Sequence, residues 1–433
     1  MSLSLRKEVG LLGLLAFGIG TIIGGDYLIV NSFIIVSTGA SVVLAYMVAG
    51  VLILIVALNY CELMAAMPYA GAEYVYIGEA FGSTAGFILG WLAVLGWSIA
   101  IGINGIVIGD FMSIFIPEAT VPRWVWSVAS VVIVWYLNHR GIRLASLAEI
   151  ITTLGLVFAL LAYAFIGFTH MNISNLTPLF VNGLSGFLYA AAFATLFYLG
   201  FNMVAQLAEE AKIPRKELWK VVIYVIVGVA LVLIITNLST VLMAPYDSIV
   251  NVASNEWPLS VLLKPFIGDL GVALVTLFAV FLGALTTMMG CYVVSARFIF
   301  AFARSGLLPK TFMKLHPKYG SPYIALLVGL VAGLIGSFIR RLIDYASLLV
   351  VMSLVAFILV ALSLIQLRRK KPDLERPFKV PLYPLIPIAT IVFALTLLAA
   401  FITQLSFDMI ILIIIWLIFG YLIMKLYAHS GGG

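Results

Sequence analysis

Residues 18–27, GIGTIIGGDY, lie inside an apolar run that extends from about Val9 to Val36. Four of these ten residues are glycine, and Gly24-Gly25 is followed at once by Asp26. Glycine in a helix interior costs about 1 kcal/mol relative to alanine. A carboxylate at mid-bilayer depth costs roughly 2.5–3.5 kcal/mol on insertion scales. A helix that only anchors a protein in a membrane has no reason to carry both at one depth. A helix that breaks there and turns bare backbone toward a polar ligand does, because half-helix N-termini attract anions and freed carbonyls attract cations.

The rest of the chain supports a membrane setting for this break. It has 433 residues, of which 64% are hydrophobic and only 10% charged, and its mean hydropathy is +1.19. Soluble domains sit nearer 45–50% apolar and about 25% charged. A spanning helix needs about 20 apolar residues, and that rule gives twelve spans. Their approximate limits are 9–36 (broken), 41–65, 83–115, 123–138, 145–169, 183–210 (broken), 218–244, 269–303, 322–340, 343–367, 383–404 and 407–427. The third and eighth are long enough to require tilt. With the N-terminus inside, nineteen of the 24 lysines and arginines fall in inner segments, against Arg123, Lys264, Arg340 and Arg341 outside and Arg297 within a span. That bias predicts a multi-pass protein of the cytoplasmic membrane with both termini cytoplasmic. The N-terminus, lacking a small-residue cleavage site, reads as an uncleaved first span. Residues 428–433, ending in three glycines, read as a tail left by cloning.

A second interruption, TLFYLGFN at 195–202, surrounds Gly200 with aromatics in the sixth span. The two breaks are five spans apart. Five is odd, so the second set of spans would be inverted relative to the first, with approximate repeats at 9–169 and 183–367 and two extra helices over 383–427. Paired glycine-interrupted spans in two halves are the best sequence pointer to a transporter's binding site.

Five stretches then resemble one family. GIGTIIGGDYL (18–28) resembles the broken first helix of the amino acid–polyamine–organocation superfamily, usually G-x-I-I-G-[AS]-G-I-F. ELMAAMPYAGAEYVYIGEAFG (62–82) resembles its helix 2–3 connection, and GFNMVAQLAEEAKIPRKELWKVVI (200–223) its helix 6–7 segment. ARSGLLPKTFMKLHPKYGSP (303–322) is similar to the loop after helix 8, and KKPDLERPFKVPLYPLIPI (370–388) to the loop before helix 11. The resemblance covers nearly the whole chain. It implies a five-plus-five inverted repeat, alternating access, and movement of amino acids or related amines driven by protons, sodium or a counter-substrate.

For the site, the resemblance implies that backbone amides at Thr21, Ile22, Gly24 and Gly25 hold a substrate carboxylate. Carbonyls of Ile19 or Gly20 and of Phe197, Tyr198 or Gly200 would hold its ammonium group. Phe193, Phe197 and Tyr198 are the candidates to close over its side chain. Asp26 departs from the pattern, which usually has glycine there. It can pair with a cationic substrate, carry a coupling proton, or cap the second half of the first helix. Some proton-coupled relatives carry a lysine midway along helix 5, a position that falls near Leu156 and is not lysine here. Thr286 and Thr287 offer hydroxyls for a sodium ion, although threonines in such helices commonly bond their own i−4 carbonyl.

The remaining ionisable residues read as structural. Glu62, Glu149, Glu209 and Glu210 lie near inner helix ends beside basic loops and are expected to form ion pairs, one of them with Arg297. Asp110 and Asn104 read as packing or water-facing. Cys61 and Cys291 sit in apolar runs and indicate no disulfide framework, and four scattered histidines offer no metal-ligand spacing. No convergent acids or nucleophile–base pair suggest an enzyme, and no cofactor or nucleic-acid partner is implied. The sequence thus predicts an all-α, twelve-span secondary transporter of amino acids or amines, proton-coupled first and sodium-coupled as the alternative. A polyamine or cation carrier or exchanger is the runner-up within that class, and a non-transporting sensor of the same fold is a third reading.

Overall fold

The computed structural model describes residues 5–25, 27–253, 258–339, 342–402 and 405–430. Among these residues the regular structure is all helical, joined by loops and turns, with one isolated bridge between Val9 and Ala211. Span 1 consists of Leu11–Ile23 and Tyr27–Thr38, span 2 of Val42–Ala66, span 3 of Ser83–Phe115, span 4 of Arg123–His139 and span 5 of Ile142–Thr169. Span 6 comprises Gly183–Ala194 and, beyond an interruption, Met203–Gln206; span 7 is Leu218–Met243. Span 8 runs through Lys264–Thr276, a π turn at Leu277–Phe281 and Leu282–Arg304. Spans 9 to 12 are Tyr323–Gly336, Leu342–Lys370, Leu385–Phe401 and Phe407–Ser430. Eight helical stretches are long and apolar enough to cross a membrane, and three shorter apolar helices accompany them. The protein is a polytopic all-α membrane protein with about twelve spans, interrupted in the first and sixth as the glycines predict.

The faces of each helix explain the packing. On span 5, Ile151, Leu154, Phe158 and Phe165 are 62–72% exposed, whereas Glu149, Thr153, Leu156, Leu160 and Tyr163 are buried. The greasy face looks outward and the polar one inward, the reverse of a water-soluble helix and the expected order in lipid. The first half of span 1 is the hub: it packs against spans 5, 7 and 8 together. Its glycines allow this. A methyl group at Gly18 would meet Val225 of span 7 at 2.5 Å, and one at Gly20 would meet Thr286 of span 8 at 2.8 Å and Glu149 of span 5 at 2.6 Å. Close backbone approach through small residues drives helix association where no hydrophobic effect operates.

Span 12 is peripheral and leans on span 3. Trp91 and Trp416 stack with ring centroids 4.7 Å apart, and each indole N–H donates to the other residue's carbonyl, at 2.9 and 2.7 Å. At the basic end of the bundle, Glu62 at the end of span 2 accepts from Arg368 at 2.9 and 2.6 Å and from the Val380 amide at 2.7 Å. This carboxylate ties span 2 to the loop between spans 10 and 11.

Candidate functional site

The break in span 1 is short. Helical hydrogen bonding ends at Ile23; Gly24 takes φ 67° and its amide reaches Gly20 O only at 3.5 Å. The two glycines rest on the backbone of span 8. A methyl at Gly25 would meet Ala284 N at 2.8 Å, and one at Gly283 would meet Gly24 O at 2.8 Å. The π turn of span 8, Leu277–Phe281, takes part in this contact, since a methyl at Gly25 would also meet Val280 O. Such turns are frequent at functional sites because they perturb the regular carbonyl ladder.

The break in span 6 is longer. Thr195–Tyr198 tightens into a 3-10 turn, Leu199 is extended (φ −68°, ψ 135°) and Gly200 has φ 115°. That last conformation favours glycine. It also leaves room: a methyl at Gly200 would meet Thr21 Cγ2 at 3.2 Å and Ile22 Cγ1 at 3.3 Å. The two breaks therefore face each other, Gly200 against Thr21 and Ile22. Thr21 lies between Gly200 of span 6 and Gly290 of span 8, and its buried hydroxyl has no hydrogen-bond partner. A buried polar atom left unpaired in a helix junction is costly; the hydroxyl is turned toward Gly290 of span 8, while the Thr21 methyl faces Gly200. Beside Gly200 a narrow cavity runs toward Tyr60, Trp97, Phe298, Met352 and Phe357.

The aromatic candidates divide. Phe197 stands edge-on to Tyr27 with ring centroids 5.4 Å apart, so it joins the second half of span 1 just past the break. Tyr198 turns to span 2, where its hydroxyl donates to Tyr46 O at 3.0 Å. Phe193 packs with Tyr189 and with Phe401 of span 11, at 5.8 and 6.0 Å, away from the facing breaks. Ile19 faces Gly228 of span 7. Among the carbonyls, Gly200 O already accepts from Met203 N at 2.9 Å. Thr286 and Thr287 both donate to Gly20 O, at 2.8 and 3.4 Å, and to Gly283 O, each at 3.1 Å. Their hydroxyls fasten the last turn before the span 1 break to span 8. Asp26, with its three readings, lies outside the described residues. No group of three or more His, Cys, Asp and Glu is gathered as a metal site among the described residues.

Several polar side chains escape sequence reasoning. Glu73, which opens the short helix Glu73–Phe81 between spans 2 and 3, accepts from Asn202 and Gln206, each at 2.6 Å. It holds the lower part of span 6 just after the break. Burial pushes its carboxyl above the usual range, and the amide donors pull it partly back. In the other direction Asn31 donates to Asn237 at 3.0 Å, Asn237 donates to Tyr27 at 3.0 Å, and Tyr46 donates to Asn31 at 2.9 Å. This network joins spans 1, 2 and 7; amides in the middle of apolar spans were the available signal.

The expected ion pairs form at three of the four glutamates. Arg297 holds Glu210 through two bonds at 2.8 and 2.9 Å with both side chains buried. Arg304 holds Glu209 at 2.9 Å, and Arg368 holds Glu62. Glu149 differs from expectation. It is fully buried and neither carboxylate oxygen has a hydrogen-bond partner, because it sits on the inner face of span 5 rather than in the basic end region. Asp110 pairs with Arg123 at 3.0 Å, and Asn104 donates to Ala100 O.

Residues 13–431 match the family model described as amino acid permease. The chain is 29% identical to the branched-chain amino acid permease BcaP of Bacillus subtilis (strain 168), over 99% of this chain and 94% of that protein. It is 26% identical to the serine/threonine exchanger SteT of the same organism, over 89% of each. It is 29% identical to the Asc-type amino acid transporter 1 of Mus musculus, over 93% of this chain and 78% of that protein.

Proposed function

The chain belongs to the amino acid permease family, and on that premise we propose that it is a secondary active transporter of amino acids, working by alternating access and driven by protons. The observation that carries this reading is the pair of facing breaks, with Gly200 against Thr21 and Ile22. A zwitterion needs opposite partial charges about one amino-acid backbone apart, and two broken helices supply them without a charged side chain. In this reading the amides of Thr21, Ile22, Gly24 and Gly25 take the substrate carboxylate. Carbonyls near Ile19 and Gly20 and near Phe197 and Tyr198 take the ammonium group, and Phe197 lies nearest among the aromatics to cover the side chain. The neighbouring cavity sets apolar walls, Trp97, Phe298 and Met352, beside the polar groups of Glu73, Asn202 and Ser353, and suits a neutral side chain.

The same reading puts the protein in the cytoplasmic membrane with both ends inside, following the basic-residue bias, and assigns the five-plus-five repeat to spans 1–10. The paired acids Glu209 and Glu210, with Arg304 and Arg297, then close the inner side of the site.

The test is uptake of a radiolabelled panel into proteoliposomes under imposed proton or sodium gradients. The panel holds neutral, cationic and acidic amino acids and putrescine. The expected result is accumulation of neutral amino acids under an inward proton gradient. Preference for putrescine or cationic amino acids would move the reading to a cation carrier, accumulation under sodium alone would replace the proton, and no flux of any compound would overturn transport itself.

A further inference from the structure

Glu149 is the one acid among the four near the basic loops that has no partner, and its surroundings are specific. It lies seven residues into span 5 from Ile142, about 10 Å along the helix axis at 1.5 Å per residue. Its side chain is fully buried, and both of its oxygens lack hydrogen-bond partners. It packs directly on the backbone of span 1: a methyl at Gly20 would meet Glu149 Oε1 at 2.6 Å. Thr153, one turn along span 5, gives its only hydroxyl proton to Ala16 O at 3.2 Å. Thr286 gives its own to Gly20 O at 2.8 Å.

The carboxyl therefore faces the last turn of Leu11–Ile23, the negative end of that half-helix. Among the described residues no cation compensates it. Leu11–Ile23 contains no ionisable residue. On span 8, Cys291 faces it, while Arg297 is held by Glu210 and Tyr292 donates to Val131 O. Span 7 carries only Lys220, which pairs with Glu217, and Tyr224, which is 56% exposed. Span 4 carries Tyr136 and His139, which group with Arg140, His316 and Tyr319 at the basic end, and Arg123 at the opposite end. Lys264 and Asp269, before the π turn, pair with each other. An isolated ionised carboxylate taken out of water is far costlier than the neutral acid, and a helix C-terminus adds to the cost. As packed here, the pocket accommodates the acid with its proton on.

We propose that Glu149 is the residue that carries the coupling proton, an assignment that rests on the transporter reading and gives it a mechanism. With the proton bound, the first half of span 1 lies against spans 5 and 8 as in this structure. Release requires water or a base at the carboxyl. Water reaches it when that half-helix swings off span 5 and opens the path toward the basic end. The O–H bond then breaks, the proton leaves to that side, and the carboxylate stays until it is reprotonated; no other reactant is needed. Gly20 is the hinge contact, since any side chain there would hold span 1 away from the acid. The lysine-less span 5 thus keeps an ionisable group two turns from Leu156, with the opposite charge type.

Glu149→Gln fixes the site in a neutral form of the same shape. The experiment compares wild type, Glu149→Gln and Asp26→Asn in proteoliposomes, measuring gradient-driven accumulation and substrate exchange at equal pH with radiolabelled leucine. For one proton per substrate, one pH unit sustains about a tenfold accumulation. The expected result is that Glu149→Gln retains exchange and falls to about onefold accumulation, whereas wild type accumulates about tenfold. Wild-type-like accumulation by Glu149→Gln overturns the proposal, as does loss confined to Asp26→Asn. If Glu149→Gln fails to fold, proton uptake on leucine addition by unbuffered wild-type protein decides. A proton taken up with substrate by wild type, with its pH dependence displaced in Glu149→Asp, supports the assignment; no proton uptake refutes it. Wild type driven by sodium and indifferent to pH would sink the proton site and leave transport standing, and absence of any flux would instead sink the transporter reading.

Discussion

The two broken spans solve one problem in opposite ways. Span 1 breaks over a few residues and is held mainly by what its side chains lack, since Gly20, Gly24 and Gly25 lie directly on spans 5 and 8, with hydroxyls of Thr153, Thr286 and Thr287 on its carbonyls. Span 6 breaks over a longer stretch and is held by side chains from elsewhere. Glu73 takes Asn202 and Gln206, Arg297 takes Glu210, and Tyr198 reaches Tyr46. Contact through glycine is made of many small dispersion terms that tolerate sliding until a side chain obstructs them. A network of buried polar bonds is all-or-none, because an unpaired member is expensive. In the proposed transport cycle span 1 is accordingly the part to move, and span 6 the fixed wall.

The largest effect should come from breaking the fixed wall. Arg297→Ala leaves Glu210 buried without its partner, a loss of about 3–5 kcal/mol for pairs of this type. Thermal unfolding in detergent should show a strongly lowered midpoint, and the double variant Arg297→Met/Glu210→Met should recover most of it. A single variant as stable as wild type would mean that the pair contributes nothing to the wall.

Next in size is obstruction of the moving side. Gly20→Ala places a methyl against Thr153, Glu149 and Thr286, an overpacking worth roughly 1–3 kcal/mol. Because the strain is relieved when span 1 swings away, uptake should fall at least about tenfold while the protein still folds, as read by size-exclusion profile and leucine flux. Normal flux would show that span 1 does not pack this way during the cycle.

Smaller and pH-dependent is the effect at Glu73. Its carboxyl is raised above the ordinary range in the folded protein, so the native state holds more protons than the unfolded one between those two values. Stability from this group is present at low pH and falls as pH rises through that window. Glu73→Gln, which keeps one acceptor and removes the charge, should flatten the pH profile of the unfolding midpoint. An identical profile in both proteins would assign the dependence to another residue.

The contrast also explains what the sequence could reveal. The break of span 1 is written in consecutive residues, since four glycines in ten inside an apolar run leave few alternatives. Span limits follow from apolar length, and the pairing of Arg297 follows from the cost of a buried guanidinium. The supports of span 6 are not local: Glu73 is 129 positions from Asn202 and belongs to a connection that reads as an ordinary short helix. Nor does spacing tell which way an aromatic turns at a break, so Phe193 and Phe197 look equivalent until the 3-10 turn sends one to span 11 and the other to Tyr27. Glu149 looked like its paired neighbours because sequence distance to a basic loop is not depth in the bundle.

The claim that substrate occupies the gap between the two breaks is open to one direct measurement. Cys61 and Cys291 are both buried, so a cysteine introduced for Thr21 can be followed against a quiet background. Labelling of Thr21→Cys with a small thiol reagent in proteoliposomes should slow about tenfold or more when saturating transported amino acid is present. Labelling indifferent to every transported amino acid, in vesicles that still carry out uptake, would place the substrate elsewhere and contradict the facing-break site.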